Sequence, residues 1–318
     1  MRGICMLLVI LHHSNAPYLY QKFLSPFFLS GFFFISGYLF DNPSVKFSRK
    51  YKLVRIIETL IIPYFIYWTL SYFIKNGYYE IYLKGNWDIF IPFIKQLLYG
   101  EKLWFISSLI VSEVILTIIF PYIRKMSVLL LTTLVFIAIW CLTPLSNPVF
   151  YPWYINCACA TMPFIIIGVI VRHVNIKKID KYLICSVYLY LILFLLDINF
   201  DINHFVIAAN YYNDFFVFVI YAIIGVFALM SVCKKYLYSN NIVLSFFGKN
   251  SLLVYFFCNQ IIILCVKLTS PLDINWYVKS LVILVLAGLI LPILVFVSNT
   301  FLPWMSGKFN YLSSYCLK

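Results

Sequence analysis

The sequence predicts an all-α protein, a polytopic transmembrane bundle of about ten helices. Three observations lead there. Of 318 residues, 64% are hydrophobic and only 11% charged, and the mean hydropathy is +0.94. A water-soluble domain cannot bury that share of apolar side chain, because its surface has to be covered with polar groups. Several apolar runs reach the roughly 20 residues that cross about 30 Å of hydrocarbon. Aromatic residues make up 20% of the chain, and Tyr and Trp often stand near segment ends, where a side chain with one greasy and one wet end is at home.

Taken in order, the apolar segments predict helices over 4–16, 24–40, 55–74, 102–121, 126–142, 151–171, 182–197, 212–232, 251–268 and 277–298. Two shorter stretches, 88–99 and 301–305, read as re-entrant or interfacial. No internal repeat, low-complexity tract or soluble domain interrupts the series, so residues 1–318 read as a single membrane domain. With a cytoplasmic N-terminus, alternate loops place 17 Lys and Arg residues inside and 7 outside, Lys22 and Lys279 among the outer ones. That is the positive-inside bias. Acidic residues do the reverse, Asp197 and Asp273 falling outside. An error in the helix count would scramble the bias downstream of it. Both termini are therefore expected in the cytoplasm, with the chain embedded in the cell membrane.

The net charge of +13 is read as topology, not as a nucleic-acid surface, because the bases lie in short loops between apolar segments. Cys141, Cys185, Cys258 and Cys265 fall within apolar runs, where a free Cys behaves as a small hydrophobe. Cys157-Ala-Cys159 has no second pair or nearby His, so no metal site is expected. At the start, only Gly3 to Leu11 is continuously apolar before His12 and His13, too little to span alone. A signal peptide would begin this way, but Ser14-Asn15-Ala16-Pro17-Tyr18 supplies no cleavage site. Further residues upstream of Met1 are expected instead.

Ionisable side chains within hydrocarbon are costly and call for a reason. The candidates are His12, His13, Glu58 and Glu113, with Arg2 and Arg55 at helix ends. Arg2 and His13 are 11 residues apart, which on a helix is three turns plus roughly 20°, so both project from one face about 16 Å apart along the axis. Arg can grip phosphate with two parallel hydrogen bonds, and His can take a proton from an attacking hydroxyl near neutral pH. The same spacing also fits a simple positive-inside anchor and a pair of His residues at the wet interface. Glu58 is expected to pair with Arg55, three residues away, and His173 and His204 to lie solvated in loops.

The order of short motifs resembles the acyltransferase 3 family, membrane-embedded O-acyltransferases of which many modify bacterial surface and secreted glycans. Arg2-Gly3, an apolar run and His13 match its Arg-x10-His pattern. Phe32-Phe33-Phe34-Ile35-Ser36-Gly37-Tyr38-Leu39-Phe40 is similar to its second-helix signature. The basic stretch Arg49 to Arg55, followed by Leu60-Ile61-Ile62-Pro63-Tyr64-Phe65, resembles its basic loop and Pro-Tyr helix. Leu103-Trp104-Phe105-Ile106 with Glu113, and Phe247-Gly248-Lys249-Asn250-Ser251-Leu252 with Tyr255, resemble two later segments. Five matches in family order cover about 250 residues. The chain departs from the pattern where a basic pair often precedes the proline, having Ile56 and Thr59 there, and where many relatives carry a His, having Cys258 and Asn259.

The resemblance implies catalytic roles for His13, Arg2 and Glu113, with His13 as general base or transient acyl carrier and Glu113 orienting a His or binding the acceptor. It implies that Arg2, Arg49, Lys52, Arg55 and Ser36 meet an acyl-CoA donor, acetyl-CoA in most relatives, entering as a substrate with no permanently bound cofactor. The acceptor would be a hydroxyl on a cell-surface or lipid-linked glycan outside. Ser36 and Gly37 also fit plain helix packing, and Trp104 an interfacial anchor. Two other function classes share the layout: a transporter or flippase of a lipid-linked glycan, and a non-catalytic partner of a glycan synthase. The inverted repeats and Gly/Pro-broken helix pairs of a transporter are not found.

Overall fold

The structure is a computed structural model that describes residues 1–41, 47–74, 90–100, 103–142, 151–174, 176–200, 205–206, 211–212, 215–236 and 241–308. Fourteen α-helices run through the described residues. Eight helical stretches are long and apolar enough to cross a membrane: Tyr18–Phe40, Arg49–Tyr72, Trp104–Tyr122, Pro152–His173, Tyr182–Phe200, Phe216–Tyr236, Ser251–Thr269 and Trp276–Phe301. Two shorter apolar helices, Arg2–His13 and Met126–Leu142, complete the set expected from the hydropathy pattern. The segment 88–99 appears as a short helix from Phe90, and 301–305 as a 3-10 turn over Pro303–Ser306. A two-residue β ladder pairs Phe205 with Tyr212 and Val206 with Tyr211.

The chain divides into two compact units. The first holds residues 1–43, 164–206 and 211–297, and the second holds 44–163, 207–210 and 298–318.

In the first unit, α1 (Arg2–His13) ends where Ser14 bonds back to the Leu11 carbonyl and Asn15 turns left-handed at φ 55°. Asn tolerates that conformation better than most residues. Pro17 then starts α2 (Tyr18–Leu24), and Pro26, which has no N–H to donate, separates α2 from α3 (Phe28–Phe40). The span expected at 24–40 is thus longer and broken. The C-terminal half of α9 (Ile155–His173), α10 (Ile176–Phe200), α11 (Phe215–Tyr236), α12 (Ile242–Lys249), α13 (Ser251–Thr269) and most of α14 (Trp276–Phe301) complete the unit. Helix α12 has no counterpart among the segments expected from hydropathy, being only 8 residues long. Asn241 caps it, its side chain accepting from Leu244 N–H at 3.0 Å.

Small residues set the closest approaches. A Cβ on Gly37 would overlap the Ile165 carbonyl, and one on Gly168 would overlap the Phe34 carbonyl, so α3 and α9 cross backbone to backbone. Beside the crossing, Arg172 lies 5.0 Å over the Tyr38 ring, and His173 Nε2 stands 3.2 Å from Asp41 Oδ2. His173 is therefore the last residue of a helix held by a carboxylate, in place of the solvated loop residue expected. At the other end of α3's chain segment, Lys22 and Asp197, both counted among loop residues from the sequence, form a buried ion pair on α2 and α10. His204 lies outside the described residues.

The second unit begins with α4 (Arg49–Ile56), capped by Ser48 Oγ accepting from Tyr51 N–H at 3.3 Å. A π-helical turn over Ile57–Ile61 joins it to α5 (Ile62–Tyr72). Pro63 explains the turn: it has no N–H for the Thr59 carbonyl, and widening the helix relieves the clash. Gly307, at φ 63°, approaches that same carbonyl. α6 (Phe90–Tyr99) packs its Phe90 and Phe93 on Trp68, Tyr72 and Phe73 of the α5 segment. α7 (Trp104–Ile119) joins the N-terminal half of α9 through a buried 2.8 Å hydrogen bond between Ser112 and Thr161. α8 (Met126–Leu142) leaves many of its large apolar side chains exposed, as lipid contact requires.

Candidate active site

The opening helix is built for packing on one side. Gly3, Cys5, Met6, Val9 and Ile10 of α1 are buried. Arg2, Met6, Val9 and His13 follow one another at helical offsets of 0, 4, 7 and 11, so they form one stripe down the middle of that buried face. Met6 and Val9 close the stripe, at 1% and 2% exposure. Arg2 is half-buried at one end, and His13 is exposed at the other. Neither side chain is on the outward flank of α1. Exposure suits His13, since an imidazole that is to meet a substrate has to be reachable.

His12, its neighbour, is inserted differently. Its ring lies 5.0 Å from Phe28 and 5.3 Å from His13, nearly perpendicular to the latter. The His12 Nδ1 is buried and finds no hydrogen-bond partner among the described residues. Phe28 thus packs against one side of His12, and His13 stands edge-on to it.

The other end of the stripe brings two distant motifs together. A Cβ on Gly3 would overlap the Leu244 carbonyl, and one on Gly248 would come within 3.3 Å of Gly3 N and 3.9 Å of Arg2 Cβ. Arg2-Gly3 and Phe247-Gly248-Lys249 are therefore the two sides of one α1–α12 seam, where Gly3 leaves no room for a side chain and Gly248 leaves little. Lys249, exposed at the end of α12, adds a second cation next in sequence to the residue that touches Arg2. Hydropathy could not show this seam because α12 is too short to register. The glycines in the two motifs were its only trace in the sequence.

Ser36 is half-buried on α3. Gly31, which faces Cys5 of α1 and the preceding Met1, lies five residues earlier, so Ser36 projects roughly 140° away from the α1-facing side. Its neighbour Gly37 serves the α3–α9 crossing. Tyr255 lies on α13 with Cys258 Sγ donating to its carbonyl at 3.3 Å, and Cys258 is buried.

The remaining candidates belong to the second unit. Arg49, Lys52 and Arg55 all stand on α4, Arg49 exposed and the other two half-buried. Arg49 lies 4.9 Å over the Tyr122 ring, and Arg124 lies 5.6 Å over both Phe47 and Phe120. Aromatic faces hold these guanidinium groups without neutralising them. Arg55 stands 3.9 Å from the wholly buried Glu58, the pair the spacing predicts. Glu113 is half-buried midway along α7, and Trp104 is half-buried at the helix start. Among the described residues, no three His, Cys, Asp or Glu side chains gather as a metal site would need.

A helical membrane bundle with a cation and an exposed imidazole on one packed stripe is the class these features define. The sequence model of a family described as "Acyltransferase domain" matches residues 1–316, nearly the whole chain. The chain belongs to this family and is a multi-pass membrane acyltransferase. No curated protein and no solved structure matches it.

Proposed function

We propose that the protein moves an acyl group, acetyl first among candidates, from cytoplasmic acyl-CoA to a hydroxyl of a cell-surface or lipid-linked glycan on the outer side of the cell membrane. The observation that carries this reading is the Arg2–His13 stripe: an anion-gripping group and a titratable base on one packed helix face, at opposite ends. Arg2 meets the donor phosphates, seconded by Lys249, and the α4 cations Arg49, Lys52 and Arg55 are assigned to donor binding on the family pattern alone. Glu113 is assigned to the acceptor or to orienting an imidazole.

In the reaction, the acceptor hydroxyl oxygen attacks the thioester carbonyl while the His13 imidazole takes its proton. The carbon–sulfur bond then breaks, the imidazolium returns the proton to sulfur, and the products are the glycan ester and free CoA thiol. Proton transfer by a positioned His contributes about 10²–10⁴ in rate. The test is His13→Gln in purified, reconstituted protein, with acylation followed by transfer of radiolabel from acyl-CoA. Loss of at least about a hundredfold with an unchanged melting temperature supports the base. Retained acylation removes His13 from the chemistry. Glycan movement that persists without acyl-CoA would favour a flippase instead.

A further inference from the structure

Non-glycine residues at positive φ are uncommon, and the described residues include Asn15, Leu103, Trp153 and Tyr154. Three of these, together with Gly100 at φ 66°, fall in two connections of the second unit that touch each other. A Cβ on Gly100 would lie 3.1 Å from Trp153 Cα, and Ser107 Oγ donates to the Gly100 carbonyl at 3.3 Å. One connection leads into α7 and the other into α9, so both sit at helix starts on the same end of the unit. Two helix entries thus hold an unfavourable backbone at one spot. Strain of this kind persists only where the surroundings enforce it, and it clusters at ligand sites.

What the strain aims is an aromatic ring. Trp153, half-buried, lies 5.2 Å from Tyr64 at a 41° tilt and 6.1 Å from Phe65. One turn along α5 from Tyr64, on the same helix face, Trp68 is 8% exposed, and its indole N–H finds no hydrogen-bond partner among the described residues. Three residues on from Trp153, in the first turn of α9, the Asn156 Oδ1 is likewise buried without one. Buried polar atoms in this state demand an explanation. A lipid chain would cover the rings and leave both atoms unsatisfied. A pyranose has an apolar C–H face to lie on a ring and hydroxyls that both donate and accept, so its chemistry suits an indole N–H and an amide oxygen alike.

We propose that Trp153, backed by Tyr64, forms with Trp68 and Asn156 a subsite that seats a pyranose ring of the acceptor. The assignment rests on the glycan-acceptor reading above and adds where and how the sugar is held. The Leu103 and Trp153 backbones fix the platform before any sugar arrives.

The test uses full-length protein in lipid nanodiscs and pyranose oligosaccharides released from the envelope of the producing cell. Binding is read by saturation-transfer NMR and titration. Trp153→Ala is expected to weaken binding roughly tenfold, the effect of losing one good stacking contact. Trp68→Phe, which keeps the ring and removes the N–H, is expected to weaken it severalfold. Trp153→Gly relieves the backbone strain, so it should melt above Trp153→Ala while binding sugar no better. Wild-type-like binding in Trp153→Ala and Trp68→Phe, recovery of binding in Trp153→Gly along with stability, or no binding of any fragment by the unmodified protein would each overturn the subsite. Sugar binding without acyl transfer would keep the subsite and overturn the acyltransfer reading. Acyl transfer with wild-type acceptor KM in Trp153→Ala would do the opposite.

Discussion

Lys22 Nζ stands 3.5 Å from Asp197 Oδ1 and donates to the Asp197 carbonyl at 2.7 Å, with both side chains no more than 5% exposed. The pair ties the short helix after the first turn to the end of α10, beside the Tyr190 hydroxyl that donates to the Phe23 carbonyl. Removing one partner strands the other charge, whereas replacing both with apolar groups of similar size removes the desolvation cost as well. Lys22→Ala is expected to destabilise by about 3 kcal/mol, and Lys22→Met with Asp197→Leu by far less. Melting curves of the three proteins in one detergent decide it. Equal losses in the single and double variants would mean the ion pair is not what holds α2.

The α3–α9 crossing makes a graded forecast for glycine. Gly37→Ala and Gly168→Ala each push a methyl into backbone, so a cost of roughly 1–3 kcal/mol or more is expected, as for other overpacked contacts. Gly288, with nothing within 4 Å of its would-be Cβ, sits inside α14, where Ala is favoured over Gly by up to about 1 kcal/mol. Gly288→Ala should raise the melting temperature slightly while the other two lower it. Ser36→Ala, one residue from Gly37, separates packing from chemistry: if the serine only packs, both stability and turnover stay near wild type.

At the α1–α12 seam the order of effects is set by distance. Gly3→Ala overlaps the Leu244 carbonyl, while Gly248→Ala meets Gly3 N at 3.3 Å. Gly3→Ala is therefore expected to harm more. Because both shift Arg2 and not His13, the damage should appear as a raised KM for acyl-CoA before any fall in kcat. A pure kcat effect would place Arg2 away from the donor.

Arg55 pairs with Glu58 and is proposed to meet the donor, and the two can be pulled apart. Arg55→Ala takes the guanidinium from beside the wholly buried Glu58, so it is expected to destabilise the second unit by about 3 kcal/mol. Adding Glu58→Gln, which removes the buried charge, should restore most of the lost stability. The donor KM of that double variant then reports the phosphate role alone. If the KM matches wild type, Arg55 is there to neutralise Glu58.

Much of this was legible in the sequence because lipid enforces a simple rule: every spanning segment must be a long apolar helix. The ten apolar segments, the Arg55–Glu58 pair and the shared face of Arg2 and His13 follow from length and a 3.6-residue period. What depends on packing between segments was not legible. Lys22 and Asp197 read as loop charges because each sits near a segment end, and only tertiary contact buries them. Hydropathy passes over α12, since eight residues fall below any spanning length. The left-handed Trp153 and Tyr154 leave no mark, because neither residue type favours that backbone and only the surrounding contacts impose it. His173 reads as a loop residue because the end of α9 extends past its apolar core, and helix ends are the least sharply marked part of a helix.

The outward leucines, isoleucines and valines of α8 and α14 make the surrounding solvent a structural component. Taken into water, that surface would drive self-association before the helices themselves separated. Stability and turnover are therefore expected to follow the acyl-chain length of the bilayer that has to match these helices, which reconstitution into bilayers of graded thickness would read.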